Sequence, residues 1–293
     1  MKGLNMSIVV AFSLTIFLWA SAFPVIKLAL KDFDAIHLST LRLIIAALVL
    51  IFIGLIKKIS LPNIKDMPFI LLLGFLGFTV YHTALSIGED YVSSGIASLI
   101  VSTTPIFSTL LATLFFKEAF SKIAWIGSLI ALSGVALISL GNDGQLQFGI
   151  TGILLVLLAS IGESTYFSFQ HHYLKKYGFF PLTLYTIVAG SLFMLLFLPD
   201  SILELQSASA ISLISVLYLG LFPTVIPYIA LAYTIQKVGV SDATISLYLT
   251  PAVSLILSYF LLREIPTFIS LVGGVIILIG VTLTTIHSNN NNK

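Results

Sequence analysis

Two stretches of this chain, 146 residues apart, carry the same short signature. Thr104-Pro105, eleven residues and Lys117-Glu118 recur as Thr250-Pro251, eleven residues and Arg263-Glu264. At that offset, without a gap, residues 84–139 match 230–285 at sixteen of 56 positions, Gly127 with Gly273 and Gly134 with Gly280 among them. A chain repeated in this way folds as two copies of one unit that must fit each other, which removes most architectures from consideration.

The solvent of that fold follows from composition. Hydrophobic residues make up 58% and charged residues 9%, with a mean hydropathy of +1.10. So few charges do not solvate a water-soluble surface. The 14 basic residues are scattered along the chain, never more than two together, which leaves no patch for nucleic acid. Without cysteine there is neither a disulfide nor a thiolate metal site. A helix needs roughly 20 apolar residues to cross a bilayer. Reading apolar runs between polar breaks gives ten, near 7–30, 34–56, 68–87, 91–115, 122–140, 149–174, 180–199, 211–233, 240–262 and 267–286. Glu89-Asp90, Lys117-Glu118 and Asp200 then fall in short connections. Lys2 ahead of an apolar run and Ala20-Ser21-Ala22 look like a secretion signal, but the run continues to Leu30 and cleavage would unbalance the set.

Basic residues give the orientation. With the N-terminus in the cytoplasm, Lys2, Lys57, Lys58, Lys65, Lys117, Lys122, Lys175, Lys176, Lys237 and Lys293 lie on that side. Lys27, Lys31 and Arg263 lie outward, with Arg42 inside helix 2. Both termini are expected to be cytoplasmic. The expected fold is all-α, with ten transmembrane helices as two five-helix repeats, 1–145 and 146–287, and a disordered tail at 288–293. Five is odd, so the second repeat is inverted relative to the first. Such a pair has two equivalent conformations, one open to each side, which is the basis of alternating access.

The ten-helix arrangement, Trp19-Ala20-Ser21-Ala22-Phe23 in helix 1, Leu41-Arg42 in helix 2, and the doubled Pro and Glu of helices 4 and 9 resemble the EamA family of the drug/metabolite transporter superfamily. The resemblance covers nearly the whole chain. It implies a plasma (inner) membrane carrier, commonly an exporter of amino acids, other metabolites or small toxic compounds, with a cavity lined by helices 1, 3, 4, 6, 8 and 9. Helix 6 departs from the pattern, with Ile161-Gly162-Glu163-Ser164 where a second tryptophan motif would stand.

Glu163 is the most informative single residue. A charge at a helix centre costs on the order of 2.5–3.5 kcal/mol on insertion scales, so it must face protein or a water-filled cavity. It reads either as a substrate-binding proton carrier or as a packing residue bonded to Ser160 and Ser164. Ser102 and Thr104 beside Pro105, and Tyr248 and Thr250 beside Pro251, read as a substrate-facing kink at the midplane or as a bend capped by its own hydroxyls. His82 in helix 3 and Tyr228, its repeat partner in helix 8, are further binding candidates, since histidine titrates near neutrality. Trp19 is a cavity-lining aromatic by the family resemblance. Lys27 and Arg42 read as side chains snorkelling to the headgroups. Glu118 and Glu264 read as local caps at helix ends, able to latch gates, and the glycines of helices 5 and 10 as a close-packed scaffold.

No Walker-type phosphate loop and no His-Glu-x-x-His motif is present. The expected function is therefore a secondary transporter without cofactor or metal. It would export small neutral or zwitterionic metabolites such as amino acids, with membrane lipids around it and the proton as coupling ion. The alternative is a membrane-embedded enzyme acting on lipid-linked substrates.

Overall fold

The computed structural model describes residues 6–116, 122–140, 146–238, 243 and 249–290. Among the described residues every regular element is helical, as a bilayer demands of a chain that is not a closed barrel. Ten helical units follow in order: α1 Met6–Ala29, α2 Ala35–Ile56, α3 Ile64–Tyr91, α4 as two halves Ser94–Val101 and Thr104–Phe116, and α5 Lys122–Leu140. The second set is α6 Leu146–Tyr177, α7 Phe179–Leu205, α8 as two halves Ala210–Leu221 and Ile226–Val238, α9 Thr250–Leu262 and α10 Phe268–Asn290. Six of these are long and apolar enough to cross a membrane by length and composition; α4, α5, α9 and α10 give shorter apolar stretches.

Starts and stops have local causes. The Asp34 carboxylate accepts from the Ile36 amide at 2.8 Å and begins α2, while Ser93 and Ser209 cap α4 and α8 in the same way. Gly178, at φ 83°, turns the chain between α6 and α7 in one residue.

Neighbour relations show the two-fold pattern. α1 packs on α8 as α6 packs on α3, α1 on α9 as α6 on α4, and α2 on α8 as α7 on α3. α5 and α10 pair with each other, as do α2 with α7 and α4 with α9. Partner helices run in opposite directions, because five crossings separate them, so this is an inverted-repeat membrane protein. The α5–α10 seam is close: a Cβ on Gly280 would sit 2.4 Å from the Ala131 amide nitrogen and 2.5 Å from the Gly127 oxygen. Two ends of the bundle can be distinguished. One carries the α1–α2 and α3–α4 connections, the other the α2–α3 and α6–α7 connections.

Several sequence boundaries change. α3 continues to Tyr91, so Glu89 and Asp90 belong to its last turn rather than to a connection. α7 continues to Leu205 and takes in Asp200. The run at 91–115 is two helices broken at Ser102 and Thr103, and that at 211–233 is broken at 222–225. The second break has a repeat partner. Residues 75–80 of α3, which correspond to 221–226, form a π-helical turn. Each copy thus carries its distortion at the same place, a π-turn in one and a Pro223 break in the other. Glu118 and the 1–145/146–287 boundary lie outside the described residues.

Candidate functional site

The Thr-Pro signature begins helices rather than kinking them. Pro105 and Pro251 stand in the first turn of α4's second half and of α9, where the missing amide hydrogen has no intrahelical role. Ahead of Pro105, the Ser102 and Thr103 hydroxyls donate to the Leu99 and Ile100 carbonyls at 2.6 and 2.7 Å. The break is therefore capped by its own hydroxyls, and it also faces a cavity. A narrow cleft with a cavity volume of about 30 Å³ lies at mid-bundle between α1, α3, α4, α6 and α9. Trp19, Tyr81, Ser102, Pro105, Glu163 and Thr250 are among its walls.

Glu163 is 2% exposed and is the acidic group of this cleft. Its Oε2 accepts from the Thr104 hydroxyl at 3.0 Å, and the Tyr81 hydroxyl approaches the same carboxyl. Ser160 and Ser164, the partners expected within its own helix, donate instead to Val156 and Ile161 carbonyls. The carboxyl of α6 is thus held by hydroxyls from the opposite repeat. Thr250 lines the cleft with its hydroxyl unpartnered.

A second layer stands behind Trp19. Its Nε1–H donates to the Pro223 carbonyl at 3.2 Å, and its ring meets Tyr228 edge-on at 5.2 Å. Pro227, four residues further on, has no amide hydrogen to give the Pro223 carbonyl, which is therefore free to accept from Trp19. Tyr228 and His82 are buried here, off the cleft wall, their rings 6.1 Å apart. The carbonyl of Phe78 can only accept, so His82 Nδ1 carries the hydrogen of their 2.9 Å bond, leaving Nε2 unpartnered. Arg42 does not snorkel. It is 2% exposed, its Nε donates to the Thr224 hydroxyl at 2.9 Å, and Nη1 has no partner. α2 is packed on α8 there, so the guanidinium finds the polar break of α8 closer than any headgroup. Lys27 remains partly exposed.

Of the expected site residues, the structure brings Trp19, Ser102, Thr104, Glu163 and Thr250 together, with His82 and Tyr228 one layer behind. Tyr248 lies outside the described residues. Phe23, Tyr81 and Ser98 join the wall without having been singled out. Ser98 is one turn before Ser102, so helical spacing alone would have found it, whereas nothing in the sequence turns Tyr81 toward Glu163.

Glu264 closes the α1–α2 end. Its Oε2 accepts from the Ser94 amide at 3.1 Å and the Ser94 hydroxyl at 2.6 Å, capping the first half of α4 from beyond the end of α9. Ser94 Oγ also meets Ser258 Oγ at 2.7 Å. The expected local cap is a cross-repeat tie. No group of three or more metal-ligating side chains is found among the described residues.

The EamA-like transporter family matches residues 6–140 and again 150–286. An "Uncharacterized transporter YdfC" of Bacillus subtilis (strain 168) is 48% identical over 293 residues, covering 100% of this chain and 95% of that protein. A "Probable terminal-alkyne amino-acid exporter" of Streptantibioticus cattleyicolor is 34% identical, with 93% and 91% covered. An "Uncharacterized inner membrane transporter YedA" of Escherichia coli (strain K12) is 26% identical, with 92% and 87% covered. A solved crystal structure aligns over 99% of both chains with a TM-score of 0.66 at 16% identity, a likeness of fold alone.

Proposed function

Because the chain belongs to the EamA-like transporter family, within the drug/metabolite transporter superfamily, we propose that it exports small amino-acid-like compounds by alternating access, driven by proton exchange at Glu163. That it is a multi-pass membrane transporter and not an enzyme follows from the family and its relatives. The finer reading is carried by one observation: a buried carboxyl at mid-bundle, in a cleft walled by both repeats, held by the hydroxyls of Thr104 and Tyr81.

The chemistry supports it in three ways. An ionised Glu163 attracts an ammonium group, while Trp19, Phe23 and Tyr81 suit an apolar side chain. A proton and a substrate cation compete for the same carboxyl, so loading one releases the other. The relative whose name refers to an amino-acid exporter is consistent with this class of substrate. Alternating access needs two packings of equal topology, and the matching helix pairs of the two repeats support that reading. The lysine distribution supports an orientation with both termini and the α2–α3 end on the cytoplasmic side of an inner membrane.

The test is efflux from proteoliposomes with a panel of radiolabelled amino acids, with and without a pH gradient. The wild type accelerates with the gradient, and Glu163→Gln loses that acceleration while remaining folded. A Glu163→Gln protein that responds to the gradient like the wild type overturns the assignment. Absence of flux for the whole panel in folded protein overturns the substrate class.

A further inference from the structure

Glu89 has no place in the cleft chemistry, and among the described acids it is the one with both carboxyl oxygens buried and unpartnered. It is fully buried in the last turn of α3, and neither carboxyl oxygen has a hydrogen-bond partner. Three other acids near helix ends are tied: Glu264 to Ser94, Glu204 to His37 and the Asp34 amide, Asp66 to Lys176. A carboxyl without partners is costly when ionised, because it is desolvated. It is also costly when protonated, because its O–H is unspent. A group serving only to hold helices together would have acquired a donor. One that alternates between the two forms has reason to keep neither bonded.

Its position on α3 gives the alternation a route. His82, Ser86 and Glu89 follow at intervals of four and three residues, so they share one face of the helix. All three are fully buried. His82 Nε2 is unpartnered, and Ser86 Oγ lies 3.1 Å from Ser39 Oγ of α2, which also reaches the His82 carbonyl at 3.1 Å. One residue before His82 on the same helix is Tyr81, whose hydroxyl approaches Glu163 and whose ring is 4.9 Å from the His82 ring. A polar file thus runs from mid-bundle to the α1–α2 end through an otherwise apolar core. The charged groups acting on Glu89 are Lys27 from α1, Arg42 from α2, Asp90 beside it and Glu264 beyond α9. From α6, the residues against neighbouring Gly88 are Gly152 and Val156, which carry no charge.

We propose that Glu89 is a second proton-carrying carboxyl of this transporter, and that protons passing between Glu163 and the α1–α2 end travel along the His82–Ser86–Glu89 face of α3. This rests on proton exchange at Glu163. In each passage a proton from water at the α1–α2 end is taken up by the Glu89 carboxylate and passes by way of the Ser86 hydroxyl to the free nitrogen of His82 and on to the Glu163 carboxylate. Glu163 then gives it to water at the α2–α3 end once the cleft opens there, and every group returns to its starting form. Arg42 remains charged throughout and holds an ionised Glu89 in a desolvated place.

The experiment uses full-length protein in liposomes. Glu89→Gln is expected to lose acceleration by the pH gradient while keeping substrate–substrate exchange at equal pH, because exchange moves no net proton. Infrared difference spectra of the wild type during a pH titration should show two protonated-carboxyl C=O bands, one missing in Glu163→Gln and the other in Glu89→Gln. Two outcomes overturn the proposal: a gradient response surviving in Glu89→Gln, or a single carboxyl band in the wild type. The spectra decide even where the variant folds poorly. Replacing sodium by choline at fixed pH should leave wild-type rates unchanged, and a loss would assign Glu89 to sodium instead. A wild type indifferent to the gradient, or a Glu163→Gln that remains coupled, defeats the Glu163 reading. An uncoupled Glu163→Gln beside a coupled Glu89→Gln defeats only the relay.

Discussion

Removing the tie at the α1–α2 end should open that end. Glu264 accepts two hydrogen bonds from Ser94, at 3.1 and 2.6 Å, and presents its charge to the start of α4. Hydrogen bonds to a charged group contribute about 1.5–3 kcal/mol each when buried, and a carboxylate at a helix N-terminus about 0.3–1 kcal/mol. Glu264 is partly exposed, so water replaces much of this once α4 and α9 part, and a net of about 1.5–2 kcal/mol is reasonable. That corresponds to roughly a 10–30-fold rise in the open population for Glu264→Ala. The chain has no cysteine, so a single reporter reads the change cleanly. Ser254→Cys is suitable: it lies one turn inward from Ser258 on α9, is fully buried, and its hydroxyl has no partner to lose. Maleimide labelling in detergent micelles should accelerate by the same factor in the Ala variant. Glu264→Gln should fall between, since the amide oxygen accepts without the charge. Labelling in Glu264→Ala at the parent rate would refute the tie as a gate element.

Three further outcomes follow from the packing. Gly280→Ala forces a Cβ onto backbone atoms of α5 at 2.4 and 2.5 Å, whereas Gly95→Ala meets only the mobile Leu255 Cδ2 at 2.6 Å. The first should lower stability by about 1–3 kcal/mol and the second by much less, and equal thermal shifts in detergent would contradict this. Thr224→Val removes the acceptor of Arg42 Nε and should cost about 1.5–3 kcal/mol, read by the same unfolding assay against Thr224→Ser, which should be nearly silent. Asp32, between α1 and α2, is held below the usual carboxylate range by bonds from Ser209, side chain and amide, and from Ser212. A depressed folded value stabilises above the ordinary value of about 4, and that contribution is lost as pH falls through the folded one. The thermal advantage of wild type over Asp32→Asn should therefore be constant near neutrality and vanish in acid.

How far the site could be read in advance varied with the kind of residue. Glu163 was legible because a lone carboxylate at the centre of an apolar run has few physical excuses. The doubled Thr-Pro marked the middle of both copies, although the prolines start helices there instead of bending them. Arg42 and Glu89 were misplaced for a shared reason. Distance from the end of an apolar run suggests snorkelling or a loop, but burial depends on what packs alongside. For Arg42 that is the 222–225 break of α8, and for Glu89 the close approach of α6 at Gly88. The π-turn of α3 is likewise invisible in Phe75–Val80 and shows itself only as the counterpart of the Pro223 break.

The sequence alone determined the architecture of this protein. A bilayer leaves an apolar chain one way to bond its backbone, and an odd-numbered repeat leaves its second copy one orientation. Tertiary structure decided which side chains meet. Glu163 is held by hydroxyls from the other repeat, Glu264 caps a helix 170 residues away, and Glu89 lies buried without a donor. Those contacts depend on the rotation of each helix about its own axis, and that angle is set by packing between helices rather than by any residue within one.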